Sequence, residues 1–102
     1  MDEIKKSQLM LNLAERLPIF RKTLCLSQGQ LADMVGVSRS TITHIENGKE
    51  MGWNTFLSLI LIFMNNRETN ELLDFYHIYT DDLNEFIKFS KNSDKRSDTK
   101  EN

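Results

Sequence analysis

The sequence predicts an all-α fold of five or six helices, and three observations carry that reading. Apolar residues recur at helical spacing along most of the chain, no β alternation or turn-flanked strand pair occurs, and serines and glycines stand where short helices must begin and end. At 102 residues the chain has room for one small domain and one accessory element. Such a domain buries a modest core, which association with a second copy would enlarge.

The first helix is expected from about Ile4 to Leu24. Leu13, Leu17, Phe20 and Leu24 follow one another at steps of four, three and four, one face of an amphipathic helix. Pro18 lacks an N–H and clashes with the carbonyl of Ala14, so a kink or restart is expected there, with an arm before Leu13 at its own angle.

Residues Gln28 to Asn47 read as two short helices joined by a tight turn. Leu31, Ala32 and Val35 make the apolar stripe of the first, and Ile42 and Ile45 that of the second. Ala32 is small enough to let the helices approach. Gly36 stands where the first must stop in a left-handed conformation, and Val37 plugs the corner. Ser27 and Ser38 are placed as N-caps of the two helices. Asn47-Gly48-Lys49 ends the second helix and turns the chain, with Gly48 as the left-handed residue.

A further helix is expected from about Trp53 to Met64. It is apolar nearly all round and so must be covered on every side, by later helices or by a second copy. Trp53 is expected to anchor its start in the core. Asn65-Asn66 breaks the run, and Glu68 to Phe75 reads as a short helix bearing Leu72, Leu73 and Phe75. Asp82 with Glu85 three residues on suggests a capping box for a last helix reaching about Ser90, with Leu83, Phe86 and Ile87 as its apolar face. The end, KNSDKRSDTKEN, has no apolar residue and reads as disordered.

The polar face of the second short helix carries the functional reading. Arg39, Ser40, Thr43 and His44 fall outside the Ile42/Ile45 stripe, all can hydrogen-bond, and none is acidic. Helix-turn-helix proteins lay such a helix in the DNA major groove, where arginine is the commonest reader of guanine. The plain alternative is an ordinary solvated helix face. The turn glycine, the cap and both stripes agree at once, which favours the groove-reading helix.

Residues from about Leu13 to Met64 resemble the XRE family, the helix-turn-helix domain of phage lambda repressor and Cro. The residues that carry the likeness are Arg21, Leu26-Ser27-Gln28, Leu31-Ala32, Gly36-Val37-Ser38, Ser40-Thr41-Ile42, Ile45-Glu46 and Asn47-Gly48-Lys49, with the family spacing intact. Cys25 departs from it, standing where the family has glycine after its first helix. Beyond Met51, Trp53-Asn54-Thr55-Phe56-Leu57 and the Ile78-Tyr79-Thr80 corner resemble small regulators of this family in Firmicutes. The resemblance implies a lambda repressor-like fold and binding to double-stranded DNA. It implies that Arg39, Ser40, Thr43 and His44 read bases and that Gln28 touches phosphate while bracing the reading helix. Asn47 and Lys49 are placed for phosphate as well, although Asn-Gly also satisfies simple turn chemistry. Arg21 and Glu46 are implied as a structural ion pair between the first helix and the end of the reading helix.

The division that follows is an N-terminal helical arm at 1–12, a helix-turn-helix DNA-binding domain at 13–66, a C-terminal helical extension at 67–90 for packing or dimerisation, and a disordered tail at 91–102. Net charge is −2, but its distribution is uneven. From Arg16 to Lys49 five basic residues face two acidic ones, and from Met51 to Ser90 two basic face six acidic. Negative charge is thus collected away from the DNA side. The single cysteine, Cys25, excludes an internal disulfide, and the two histidines and Cys25 show no metal-ligand spacing. His77 reads as a surface or turn residue.

A charged start, MDEIKK, with no apolar stretch after it, and no run long enough to span a membrane point to a cytoplasmic protein. No paired carboxylates, phosphate-cradling glycine loop or nucleophile-base motif points to an enzyme. No cofactor is expected, and the helices after Met64 are too short to enclose a small-molecule pocket. The expected function is a sequence-specific repressor acting as a homodimer on an inverted repeat. Phe56, Ile60, Phe63, Leu83, Phe86 and Ile87 are the candidates for its dimer interface, some of them needed by the protomer core. The alternative is an antitoxin or interaction module that binds a protein partner through its hydrophobic fourth helix and C-terminal helices.

Overall fold

The computed structural model describes residues 1–88. Five helices are bounded as α1 (Glu3–Thr23), α2 (Gln28–Val35), α3 (Arg39–Glu46), α4 (Trp53–Met64) and α5 (Arg67–Phe75). A sixth, α6, covers 81–88. No strand occurs among the described residues, which form six helices in an all-α fold. The expected end of the last helix near Ser90 and the tail at 91–102 lie outside the described residues.

α1 is the hub, packing against α3, α4 and α5. Its inner face places Leu9, Leu13, Leu17 and Phe20 in the core, all between 0% and 8% exposed. The restart expected at Pro18 does not occur, because α1 is one helix of 21 residues with the proline inside it. Core side chains lie on both sides of Pro18, so tertiary burial holds the helix continuous against the loss of one backbone hydrogen bond. Asp2 caps its start by accepting from the Lys5 N–H at 2.8 Å.

α4 closes the core from the other side. Phe56, Leu59, Ile60 and Phe63 are at most 1% exposed, and Phe63 meets Phe20 of α1 at 4.9 Å between ring centroids. Trp53 is half-buried and stacks on Phe56 at 5.0 Å. α4 ends where Asn65 and Asn66 turn their amides back onto the carbonyls of Leu61 and Ile62, at 2.6 and 2.8 Å. The first satisfies a last-turn carbonyl that has no helical partner, and the second joins the Asn65 N–H, 3.2 Å away, on the Ile62 carbonyl. Thr69, the one buried polar residue of the described core, donates to the Phe63 carbonyl at 2.8 Å and fixes α5 to the end of α4.

Helix α4 is therefore covered largely within one chain. Leu73 of α5, Ile78 of the following corner and Leu83 of α6 are all 0% exposed. This bears on the expected dimer interface. Phe56, Ile60, Phe63 and Leu83 are interior residues of the protomer, and presenting them to a second copy would mean opening the core. Phe86 and Ile87 are half-buried against it. The large apolar side chains left in solvent among the described residues lie elsewhere: Ile4 at 72%, Leu11 at 61%, Ile19 at 45%, Met34 at 52%, Leu61 at 64% and Phe75 at 72%.

The cap of α6 also differs from expectation. Thr80 takes that place, its hydroxyl accepting from the Leu83 N–H at 3.3 Å and its carbonyl from Asn84 at 2.9 Å. Asp82 lies inside the helix and meets Lys5 of α1 at 2.7 Å. Lys6 beside it sits over the rings of Trp53 and Phe86, 5.0 and 5.7 Å from their centroids. A threonine two residues upstream competes for the cap, and the tertiary ion pair draws Asp82 away from the backbone. At the other end of α5, Asn12 donates to the Tyr76 carbonyl at 2.9 Å, and the Arg16 guanidinium lies 4.7 Å from the Tyr76 ring.

Among the described residues two other than glycine adopt left-handed backbone, Cys25 with φ 57° and His77 with φ 58°. Each follows a helix, where the turn demands that conformation. His77 is exposed, and the Ile78 N–H after it returns to the Leu73 carbonyl at 2.8 Å. Cys25 is exposed too, and its thiol is free. Replacing Cys25 by glycine is predicted to stabilise the fold by about 0.5–1 kcal/mol, since the side chain's left-handed penalty exceeds glycine's extra unfolded-state entropy. Thermal unfolding in reducing buffer should show a rise of a few degrees. A fall would mean that the Cys25 side chain contributes packing.

Candidate nucleic-acid interface

The pair α2–α3 is built from local signals that agree with one another. Ser27 caps α2 by accepting from the Gln30 N–H at 3.0 Å, and the Gln30 side chain accepts from the Ser27 N–H at 2.8 Å. α2 stops at Gly36, with φ 85° and ψ 30°, where the N–H groups of Gly36 and Val37 both reach the Ala32 carbonyl, at 2.8 and 3.0 Å. Ser38 opens α3 by accepting from the Thr41 N–H at 3.2 Å. Leu31, Ala32, Ile42 and Ile45, none more than 2% exposed, fill the contact between the helices. Gly48, with φ 100°, turns the chain out of α3, and the Lys49 N–H returns to the His44 carbonyl at 2.9 Å.

With its apolar stripe inside, α3 shows its remaining face to solvent. Arg39, Ser40 and His44 are exposed, and Asn47 and Lys49 beyond the helix are exposed as well. Arg39 runs alongside the start of α2, its Cδ 3.9 Å from where a Cβ on Gly29 would stand. Arg21, Ser27, Gln28, Gly29 and Arg39 line a shallow depression at that end of α2. Thr43 differs from its neighbours. It is half-buried, and its hydroxyl donates to Gln28 Oε1 at 2.8 Å.

The one acidic residue of α3 is turned away from this face. Glu46 meets Arg21 of α1 in a two-pronged pair, with Nε to Oε2 at 2.8 Å and Nη2 to Oε1 at 3.0 Å. The guanidinium's Nη1 donates to the Leu26 carbonyl at 3.0 Å, and Gln28 Nε2 donates to Glu46 Oε1 at 3.0 Å. The side chains of Arg21 and Glu46 are 12% and 7% exposed. Burial pushes the Glu46 carboxyl up. The hydrogen bonds from Arg21 and Gln28, with the charges of Arg21 and Lys22, outweigh that and hold it below the ordinary carboxylate range. The Glu46 hydrogen bond in turn raises Arg21. One chain of contacts thus joins α1, α2 and α3.

Two details of the site escaped the sequence reading: the reciprocal half of the cap on α2, and the partners, Thr43 and Glu46, through which Gln28 gives α3 the bracing that the resemblance implied. The reciprocal cap of Ser27 and Gln30 was legible, since a serine followed three residues later by glutamine before an apolar run is its signature. The links from Gln28 to Thr43 and to Glu46 span 15 and 18 residues and depend on how the helices cross, which no local pattern reports. Among the described residues no group of histidine, cysteine and acidic side chains is arranged to hold a metal ion, and no helix is long and apolar enough to cross a membrane.

The ion pair makes an acid-dependent prediction. The folded-state pKa of Glu46 lies below its unfolded value of about 4.3, so the stability it contributes is present above that value and is lost as pH falls through the lower folded-state value. Urea unfolding at a series of pH values should show Glu46→Gln less stable than the parent at neutral pH and less sensitive to acid below about pH 5. Arg21→Met strands a carboxylate and should cost about 3 kcal/mol, the lower edge for a buried pair. Parallel pH curves for Glu46→Gln and the parent would contradict the coupling.

Residues 20–51 match a family model described as helix-turn-helix, about a third of the chain. The matched segment runs from the end of α1 through α3 to the turn before α4. No curated protein and no solved structure matches. The match supports the XRE, lambda repressor-like kind of helix-turn-helix, whose general role is regulation through DNA binding. The chain therefore carries a DNA-binding helix-turn-helix, similar over residues 20–51 to those of the XRE regulators.

Proposed function

We propose that this chain is a sequence-specific transcriptional repressor that acts as a homodimer on an inverted-repeat operator, with α3 in the major groove. The observation that carries the reading is the outward face of α3. Arg39, Ser40 and His44 are exposed donors and acceptors on a helix whose one carboxylate is neutralised inside. Arg39 at the N-terminus of α3 stands where reading helices contact base edges. Asn47, Lys49 and the start of α2 flank that face and suit the phosphate backbone. One reading helix covers few base pairs, and the modest positive charge of one protomer gives weak phosphate attraction, so two-fold association answers both shortages. With the α4 candidates interior, the exposed Leu61 and Phe75 join Phe86 and Ile87 as apolar groups for that contact.

A protein partner in place of a second copy is the competing reading, and the same exposed apolar side chains support it. Sedimentation of the intact chain separates the two. A species near 24 kDa, twice the 11.9 kDa protomer, is expected at tens of micromolar or on DNA. A monomer under both conditions would overturn the dimer.

On DNA the two classes of contact should separate. Arg39→Ala should weaken binding to a selected site by about 1–3 kcal/mol and relax preference at one base pair. Lys49→Ala should weaken binding to all sequences alike and lower the slope of log affinity against log salt by about one unit. A site profile unchanged by Arg39→Ala would rule out that docking.

A further inference from the structure

Thr43 lies between the exposed residues of α3, yet its hydroxyl points back into the helix pair. Its Oγ1 donates to Gln28 Oε1 at 2.8 Å, and Gln28 Nε2 donates to Glu46 Oε1 at 3.0 Å. Both oxygens of Glu46 also accept from Arg21. An ionised carboxylate only accepts hydrogen bonds, so Gln28 can offer it only the nitrogen of its amide. The amide oxygen is then turned toward Thr43, whose hydroxyl supplies the proton it needs. The two contacts together select one of the two orientations open to the amide. One Nε2–H of Gln28 is left over, at the first residue of α2, where helix N–H groups also lack helical partners.

We propose that Thr43 is a positioning residue and not a base reader: its hydroxyl orients the Gln28 side chain so that the remaining amide N–H meets the DNA backbone. The proposal rests on the DNA-binding reading above. A hydroxyl whose one proton is committed inside the protein keeps only acceptor capacity for a base edge. Thr43 then governs affinity common to all sequences, while its exposed neighbours govern preference.

The test compares full-length Thr43→Val, Thr43→Ser, Gln28→Ala and the Thr43→Val/Gln28→Ala pair. Each is bound to a random-sequence duplex and to sites selected from a randomised library, and the Gln28 side-chain amide is followed by NMR without DNA. Thr43→Val should weaken both duplexes by a similar factor, roughly three- to tenfold, with the selected sequence unchanged. Thr43→Ser should restore binding, and the double variant should bind no worse than Gln28→Ala alone. The Gln28 amide signals should move in Thr43→Val and return in Thr43→Ser. Altered base preference with unchanged random-duplex affinity would make Thr43 a reader and overturn the proposal, as would unmoved amide signals or additive losses in the double variant. Failure of the parent chain to bind either duplex would overturn the DNA reading itself, leaving the amide spectra to decide the orientation of Gln28.

Discussion

The two-pronged pair between Arg21 and Glu46 is the contact on which the geometry of the site depends. It ties the last turn of α1 to the last turn of α3, and Gln28 adds α2 to the same knot. Burying two charges is costly in itself, and the pair survives because every prong finds a partner. The guanidinium also reaches the Leu26 carbonyl, and both carboxylate oxygens accept from guanidinium nitrogens. The same contact removes the only negative charge α3 could present to a phosphate backbone. A stabilising contact and a favourable surface potential thus come from one pair.

Around that knot the apolar core sets where α3 sits. α1 touches α3, α4 and α5, so a shift of α1 would move all three. Phe20 near its end contacts Phe63 of α4, which places the ion-paired turn of α1 directly over the aromatic centre of the core. Protein cores are close-packed and deform little. The outward face of α3 is accordingly held from two sides, by side-chain volume underneath and by directed hydrogen bonds at its edge.

The fourth helix shows how a strongly apolar segment can be satisfied within one chain. It packs on α1, α2 and α5, its Trp53 meets Phe86 of α6 edge-on at 5.9 Å, and Ile78 and Leu83 are buried in the same core. What stays in solvent is sparse, with Leu61 the clear case on that helix. Lys6 contributes to the closure in a way that apolar counting misses, laying its charge over Trp53 and Phe86. The C-terminal extension is thus integral to the core.

By itself the sequence determined the elements and their punctuation. The bounds of α4, the left-handed turns at Gly36 and Gly48 and the serine caps follow from spacing and from residues with few conformational options, and such signals are local. The polar face of α3 was legible for the same reason, since a short helix with two inward isoleucines has its outward positions fixed. Tertiary structure decided the rest. It kept α1 one continuous helix through Pro18, gave the cap of α6 to Thr80, drew Phe56, Ile60, Phe63 and Leu83 into the protomer and turned the Thr43 hydroxyl onto Gln28. Each of these is a competition between alternatives of similar local energy. The winner is set by which side chains from distant parts of the chain arrive beside it, and a helical period carries no information about that.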